Sequence, residues 1–423
     1  IAGRCVSGRN MPLYDNITSI DSDTVTRECN LLAKHTLEKA AAHQADVLTT
    51  VSDATANECK YLLGREPDII TPNGFVASMA PTDKEYPAAR KQAKAKLLEI
   101  ASYMSGKKYN DKTMLLCISG RYEYNNKGIN VFLDALASFS ASIADSKRNV
   151  AAFIMVPSGT NGPDVVLVDK IKNKEDYNYQ TNVSHTLVDD CDIVRKHLAE
   201  LSLNNDAESK LDVFFVPTYL NGTDGIFNMS YYDLLVGMDL TIFPSYYEPW
   251  GYTPLESLAF RVPTLTSSTA GFGMWVRKHY NEDPVSISIV ERTGQNYNDV
   301  VEAVKERMNS IYKMSAAYYK LCCKNALEVS KLALWENNIE FYRDAYDMAI
   351  DKNIATYGAY IELFDDKKTE YRQVSSNKPS WSRMLVGRQL PKRLETLDIM
   401  AKNLWWCWNQ EAIDLFSSVS PDL

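Results

Sequence analysis

The run Thr113-Met-Leu-Leu-Cys-Ile118 constrains the fold of this chain more than any other stretch. A continuous apolar run of that length suits a strand covered on both faces, and such strands belong to parallel sheets with helices packed above and below. The pattern recurs in Val150-Ala-Ala-Phe-Ile-Met-Val156, Asp212-Val-Phe-Phe-Val216, Leu240-Thr-Ile-Phe243 and residues 264–267. Stretches of helical period separate several of these runs, which predicts βαβ units and one parallel sheet from about residue 111 to 290. A shorter pair precedes it. Asp46-Val-Leu-Thr-Thr-Val51 and Asp68-Ile-Ile70 read as strands, with a helix over 54–63 capped by Ser52 or Asp53 between them. Further helices are expected over 28–43, 84–104, 129–143 and 302–350, the last broken near Leu334-Trp335-Glu336. Residues 157–190 lack a period and read as an excursion, and the polar stretch 366–392 reads as a linker.

A chain of 423 residues is long for one domain. The formal net charge of −8, without a long Lys/Arg run, argues against a nucleic-acid surface and fits a small anionic ligand held by local cations. No window approaches the roughly 18 apolar residues of a membrane span. Eight scattered cysteines without a C-x-x-C pair, and five histidines at no metal-site spacing, predict free thiols, no metal and a reducing cytoplasm. The start, Ile1-Ala-Gly-Arg-Cys5, lacks an initiator methionine. The end, opened by Leu404-Trp-Trp-Cys-Trp-Asn409, has no evident core to bury it. Both ends read as cut.

The chemistry concentrates in Tyr246-Tyr-Glu-Pro-Trp-Gly-Tyr-Thr-Pro-Leu-Glu256, which holds four aromatics, two prolines and two carboxylates. It leaves a buried strand and enters a short helix over 254–260. Thr253 is expected to cap that helix, with Pro254 in its first position and Glu256 completing a capping box. The helix start offers backbone amides to a phosphate, flanked by Glu248 and Glu256. A second constellation, Gly120-Arg-Tyr-Glu-Tyr-Asn-Asn-Lys-Gly128, follows the run at 113–118. Arg121 and Lys127 would suit a diphosphate, one by bidentate contact and the other as a point charge. Ser267-Ser-Thr-Ala-Gly-Phe-Gly273 is a third, weaker candidate, where glycines would let backbone approach a ligand. His35 and His43 read as packing or surface residues.

These strings carry a resemblance. Glu248 and Glu256 resemble the paired glutamates of retaining glycosyltransferases with two facing Rossmann-like domains, the GT-B fold. The segment from Phe243 to Pro254, Gly120 to Gly128, Ala40-Ala-Ala-His-Gln-Ala-Asp-Val-Leu-Thr-Thr-Val-Ser52 and Pro67-Asp-Ile-Ile-Thr-Pro-Asn-Gly74 are similar to eukaryotic-type glycogen (starch) synthases. The resemblance covers about residues 1–350. It implies an α/β enzyme that transfers glucose from UDP-glucose to the nonreducing end of an α-1,4-glucan with retention, needing no cofactor. Arg121 and Lys127 would neutralise the leaving diphosphate, and Glu248 would contact donor-sugar hydroxyls and stabilise an oxocarbenium-like transition state. Glu256 would hold the ribose, while Thr253 and the amides of Trp250, Gly251 and Tyr252 bind phosphate. Tyr231 and Tyr219 would pack on uracil, and Arg4 would reach into the cleft. A sucrose-synthase-like transferase and a noncatalytic glucan-binding module are the alternatives; homo-oligomers are allowed.

The family's glycine-rich donor loop and a cleft histidine would lie upstream of Ile1, so residues 1–423 alone are expected to be inactive. The stretch 313–324 contains no arginine, which makes activation by glucose 6-phosphate doubtful. Residues 393–409 are similar to the opening of bacterial α-glucan phosphorylases, which implies a synthase–phosphorylase fusion with pyridoxal phosphate in the missing phosphorylase part. The expected organisation is therefore 1–80 as the end of a first Rossmann-like domain and 81–335 as the nucleotide-sugar domain. Helices over 336–365 return toward the first, then come a linker over 366–392 and a phosphorylase-like start over 393–423.

Overall fold

The computed structural model describes residues 1–9 and 11–365, with side chains to residue 352. The expected linker and phosphorylase-like start therefore lie outside the described residues. Contacts divide the chain into Ile1–Ala349 and Ile350–Leu423, and the described part of the second unit is the continuation of the last helix.

The first eighty residues are mostly helical: α1 Ala2–Gly8, α2 Leu13–Asn16, α3 Ser22–Glu28, α4 Leu32–Gln44 and α5 Asp53–Glu58. The helix expected over 28–43 is interrupted because Asn30 adopts φ +57°, and it begins afresh at Leu32. Between α4 and α5 lies β1 (Thr49–Thr50), parallel to β2 (Ile69–Ile70); both strands are shorter than their apolar runs suggested. Ser52 caps α5 through a reciprocal bond pair with Thr55. A π-helical turn, Cys59–Leu63, extends that helix and ends at Gly64 with φ +73°.

The long helix α6 (Tyr86–Ser105) leads into β3 (Met114–Ser119), then α7 (Ile129–Ser142) and β4 (Val150–Met155). The stretch read as an unstructured excursion contains an antiparallel pair, β5 (Thr160–Pro163) with β6 (His185–Leu187), and α8 (Val165–Asn173). The strands escaped notice because β5 is Thr-Asn-Gly-Pro, a turn composition. The signal for α8 was Asp164, whose side chain accepts from the Val166 and Leu167 amides. The chain continues through α9 (Ile193–Glu200), β7 (Leu211–Val216), α10 (Tyr231–Leu235), β8 (Leu240–Ile242), α11 (Tyr252–Ala259), β9 (Thr264–Ser267), α12 (Gly271–His279) and β10 (Ile287–Val290). Helices α13 (Tyr297–Lys313), α14 (Ala316–Ser330) and α15 (Trp335–Asp365) close it. The break expected near Leu334 is present, and a second occurs where Ser315 caps α14.

Six strands form one parallel sheet in the order β10-β9-β8-β3-β4-β7. Successive side chains of β3 feed opposite cores, as pleating requires. Leu115 and Cys117 pack with Leu97 and Ile100 of α6, whereas Met114, Leu116 and Ile118 pack with Phe132 of α7 and Met308 of α13. Burial of both faces explains the uninterrupted apolar run. The order also places the site. The chain runs outward from β3 through β4 to β7, then returns to lay β8 against β3's other side, and ligands in such sheets bind beyond the strand ends at that reversal.

Asp239 fixes the reversal from the opposite end of the strands. Its nearly buried carboxylate lies 2.5 Å from Arg90 and 3.1 Å from Lys94, both on α6, and accepts the Leu115 amide at 2.9 Å. Burial opposes its ionisation, but the two cations and the amide outweigh that and hold its pKa below the usual value. Asp239→Ala leaves two partly buried cations unpaired and is expected to cost about 3–5 kcal/mol in urea unfolding, with Asp239→Asn milder.

Candidate active site

Two loops meet at the carboxyl ends of β3 and β8. The first turns at Gly128, whose φ is +70° and where a Cβ would lie 2.5 Å from the Pro244 carbonyl oxygen. Only glycine lets the loop approach β8 so closely. The Tyr246 and Tyr247 amides both donate to the Asn126 carbonyl, at 2.9 and 3.2 Å, and join the loops. The Lys127 Nζ consequently contacts the Glu248 carboxylate, with both side chains largely buried.

Arg4 reaches the same loop from α1, its Nη2 2.7 Å from Glu123 Oε1, and Arg121 Nε lies 3.4 Å from that oxygen. Both arginines stay more than half exposed. Asn126 donates to the other Glu123 oxygen at 3.1 Å. Burial raises the Glu123 pKa, but Asn126 together with Arg4, Arg121 and Lys127 outweighs it, so the carboxyl titrates below its ordinary range. Glu123 had been given no role. Its signal was available, an acid between the two cations of one glycine-bounded loop.

The start of α11 differs from expectation. Gly251 begins the helix at φ +109°, so Thr253 and Pro254 occupy its second and third positions and the capping box does not form. The helix starts early because the Trp250 ring is buried against Phe272 and Trp275 while its carbonyl accepts the Phe272 amide. No side chain caps the first turn. Glu256 instead accepts from the Tyr232 hydroxyl at 2.7 Å. Burial raises its pKa, with that hydrogen bond acting against the shift.

Tyr231 stands beside Tyr232 on α10, and its hydroxyl shares a 2.8 Å bond with Ser119 at the end of β3. Its amide donates to the Leu220 carbonyl. Tyr219, one residue earlier, is 76% exposed; Tyr252 is 42% exposed at the first position of α11. The glycines at 271 and 273 are accounted for by protein neighbours. A Cβ at Gly271 would stand 2.6 Å from Ser52 Cβ, and one at Gly273 2.5 Å from the Ser267 carbonyl. His35 is buried with Nε2 3.0 Å from Ser22 Oγ, and His43 contacts the Leu63 carbonyl from the surface.

Glu58 was not anticipated at all. It lies beneath the Glu248 loop, accepting hydrogen bonds from Tyr14 and Tyr247 at 3.1 Å each. Burial dominates over those two bonds and lifts its pKa from 4.5 to about 7. Nothing local marks it, because its partner Tyr247 is 189 residues away.

A family model described as glycogen synthase matches residues 1–175 and 164–396. The chain belongs to the glycogen synthase family. Mouse liver glycogen [starch] synthase is 26% identical over 83% of this chain and 58% of its own length. Isoform 1 of the Saccharomyces cerevisiae glycogen [starch] synthase is 28% identical over 72% of this chain and 52% of its own. The chain thus spans little more than half the length of these relatives. Residues 390–423 match a second model, a protein of unknown function (DUF3417). The α,α-trehalose 6-phosphate synthase structure from Burkholderia multivorans superposes with a TM-score of 0.50 at 12% identity, over 79% of this chain and 64% of that one. A Candida albicans trehalose-6-phosphate phosphatase N-terminal domain gives 0.50 at 13% identity, over 75% and 62%. At such identities the likeness concerns the fold, which is of the GT-B glycosyltransferase class.

The Glu58 shift makes stability depend on pH. A carboxyl whose folded pKa lies above its unfolded value favours folding while protonated, and that advantage fades as pH rises from 4.5 to about 7. Glu58→Gln is expected to be nearly neutral at the acid end and stabilising above neutrality, by at most about 3 kcal/mol. Thermal unfolding of both proteins across that window checks this; a difference independent of pH contradicts it.

Proposed function

We propose that this chain carries the nucleotide-sugar site of a glycogen synthase that transfers glucose from UDP-glucose to the nonreducing end of an α-1,4-glucan with retention. The single observation behind this reading is the Lys127–Glu248 contact at the β3/β8 reversal, with Arg4 and Arg121 gathered on Glu123 beside it. Transfer requires negative charge to be stabilised on a departing diphosphate, and preorganised cations supply the largest part of such stabilisation. Arg121 and Lys127 are assigned that task. Glu248 takes the donor-sugar hydroxyls and the positive charge that develops on the sugar. The amides of Trp250, Gly251 and Tyr252, with Thr253, form the phosphate seat at the uncapped start of α11. Tyr231 and the neighbouring Tyr219 are assigned to uracil, and Glu256 to the ribose.

The cations rest on Glu123 and Glu248, so donor binding would exchange internal carboxylates for phosphate oxygens. The organisation read from sequence is part of the same proposal: 1–80 in the first domain, 81–335 in the donor domain, and helices over 336–365. The setting is taken as cytoplasmic; among the described residues no helix is long and apolar enough to cross a membrane.

In the full-length protein, Lys127→Ala and Glu248→Ala should each lower kcat for glucosyl transfer by roughly 100- to 1000-fold, with glucan binding retained. Wild-type turnover in both variants would sink the roles given to Lys127 and Glu248, and glucan binding without any turnover in the unsubstituted protein would favour a glucan-binding module. A competition between UDP-glucose and ADP-glucose identifies the donor. We further read residues 393–423 as the start of an α-glucan phosphorylase part that would hold pyridoxal phosphate. Phosphorolysis of glucan by the full-length protein, abolished by stripping that cofactor, is the expected result.

A further inference from the structure

Arg292 follows β10 at the carboxyl edge of the sheet and is 8% exposed. Its guanidinium carbon lies 5.6 Å from the centroids of both the Tyr246 and Tyr297 rings. Among the described residues no carboxylate pairs with it, and its Nε has no hydrogen-bond partner. Two other internal cations are treated differently, Arg90 resting on Asp239 and Lys107 on Asp212. A desolvated cation without a counter-charge is costly, and two aromatic faces offset only part of that. Burial correspondingly lowers the Arg292 pKa.

Arg292 lines a cavity of about 220 Å³ together with Asn125, Asn130, Thr293 and Tyr297. Asn130 Nδ2 donates to Asn125 Oδ1 at 3.2 Å, and the buried Asn130 Oδ1 has no partner. Ser7 and Pro12 line it as well. Asp15 sits nearby with its carboxylate accepting the Gly294 amide at 2.8 Å, forming no ion pair with Arg292.

We propose that this cavity is a binding site for a small oxyanion bearing one phosphoryl group, separate from the phosphate seat at α11. The planar fork of Arg292 matches two phosphoryl oxygens, and the charge supplies the counter-ion that the protein omits. A neutral sugar would leave the cation unpaired. The volume lies below the ~300 Å³ at which pockets begin to accept drug-sized molecules, so it suits a single phosphoryl group better than a nucleotide diphosphate. The Asp15 carboxylate disfavours ligands of higher charge. Because Tyr246 is both a wall of this cavity and part of the Glu248 loop, occupancy braces the loop from outside the donor site.

The test is equilibrium binding of radiolabelled inorganic phosphate and, separately, of glycerol 3-phosphate, with UDP present to fill any diphosphate site. One equivalent of either ligand should bind, and Arg292→Gln should weaken it about tenfold or more. Binding of both ligands identifies the phosphoryl group alone as sufficient; binding of glycerol 3-phosphate alone identifies a phosphomonoester. Asn130→Asp provides a second variant. It places a counter-charge in the cavity and should abolish binding without lowering Tm, which separates loss of the site from loss of the fold. Absence of saturable binding by both ligands, displacement by UDP, or wild-type binding in both variants would overturn the proposal.

Discussion

Everything at the candidate site depends on β3 and β8 lying side by side although four other strands separate them in sequence. That adjacency is a property of the winding, not of the loops. It delivers two independent segments to one place, and the glycine at 128 closes the remaining distance to Pro244. The cross-loop hydrogen bonds to the Asn126 carbonyl then fix Lys127 relative to Glu248. At the other end of the strands, Asp239 holds α6, β3 and the entry to β8 together through charge. The sheet is thus clamped at both ends, electrostatically below and by tight backbone contact above.

The electrostatic pattern of the site is one of cations already matched. Lys127 is held by Glu248, while Arg4 and Arg121 share Glu123. The exposed arginines can exchange partners at little cost, because surface ion pairs are weak. The Lys127–Glu248 pair is far more enclosed, and separating it is correspondingly harder. The site presents mobile charge at the rim and fixed charge at the centre.

The sheet was legible because burial on both faces leaves an unambiguous sequence record, and five of its six strands lie where apolar runs or β-branched stretches predict them; β10, the short edge strand, has no such run of its own. The excursion over 157–190 was not, since β5 has turn residues and its pairing partner β6 is distant. Arg121, Lys127, Glu248 and Glu256 could be named because they sit in dense motifs beside strand ends. Their connections could not. Glu123 gains a role only because Arg4, from another part of the chain, meets it. Glu58 belongs to an ordinary helix and becomes unusual only when two tyrosines from distant segments enclose it. The capping box at Thr253 failed for a tertiary reason, since burying Trp250 forces the helix to begin at Gly251.

That early start has a consequence for how the molecule would respond to an anion. Helix α11 opens with donor groups that no side chain satisfies, and an incomplete first turn frays more readily than a capped one. An anion seated there would finish the turn, so part of its binding free energy would appear as local order in residues 251–255. Recognition and folding of this turn are then a single equilibrium. Protection of those amides against hydrogen exchange becomes a direct gauge of whether the seat is filled.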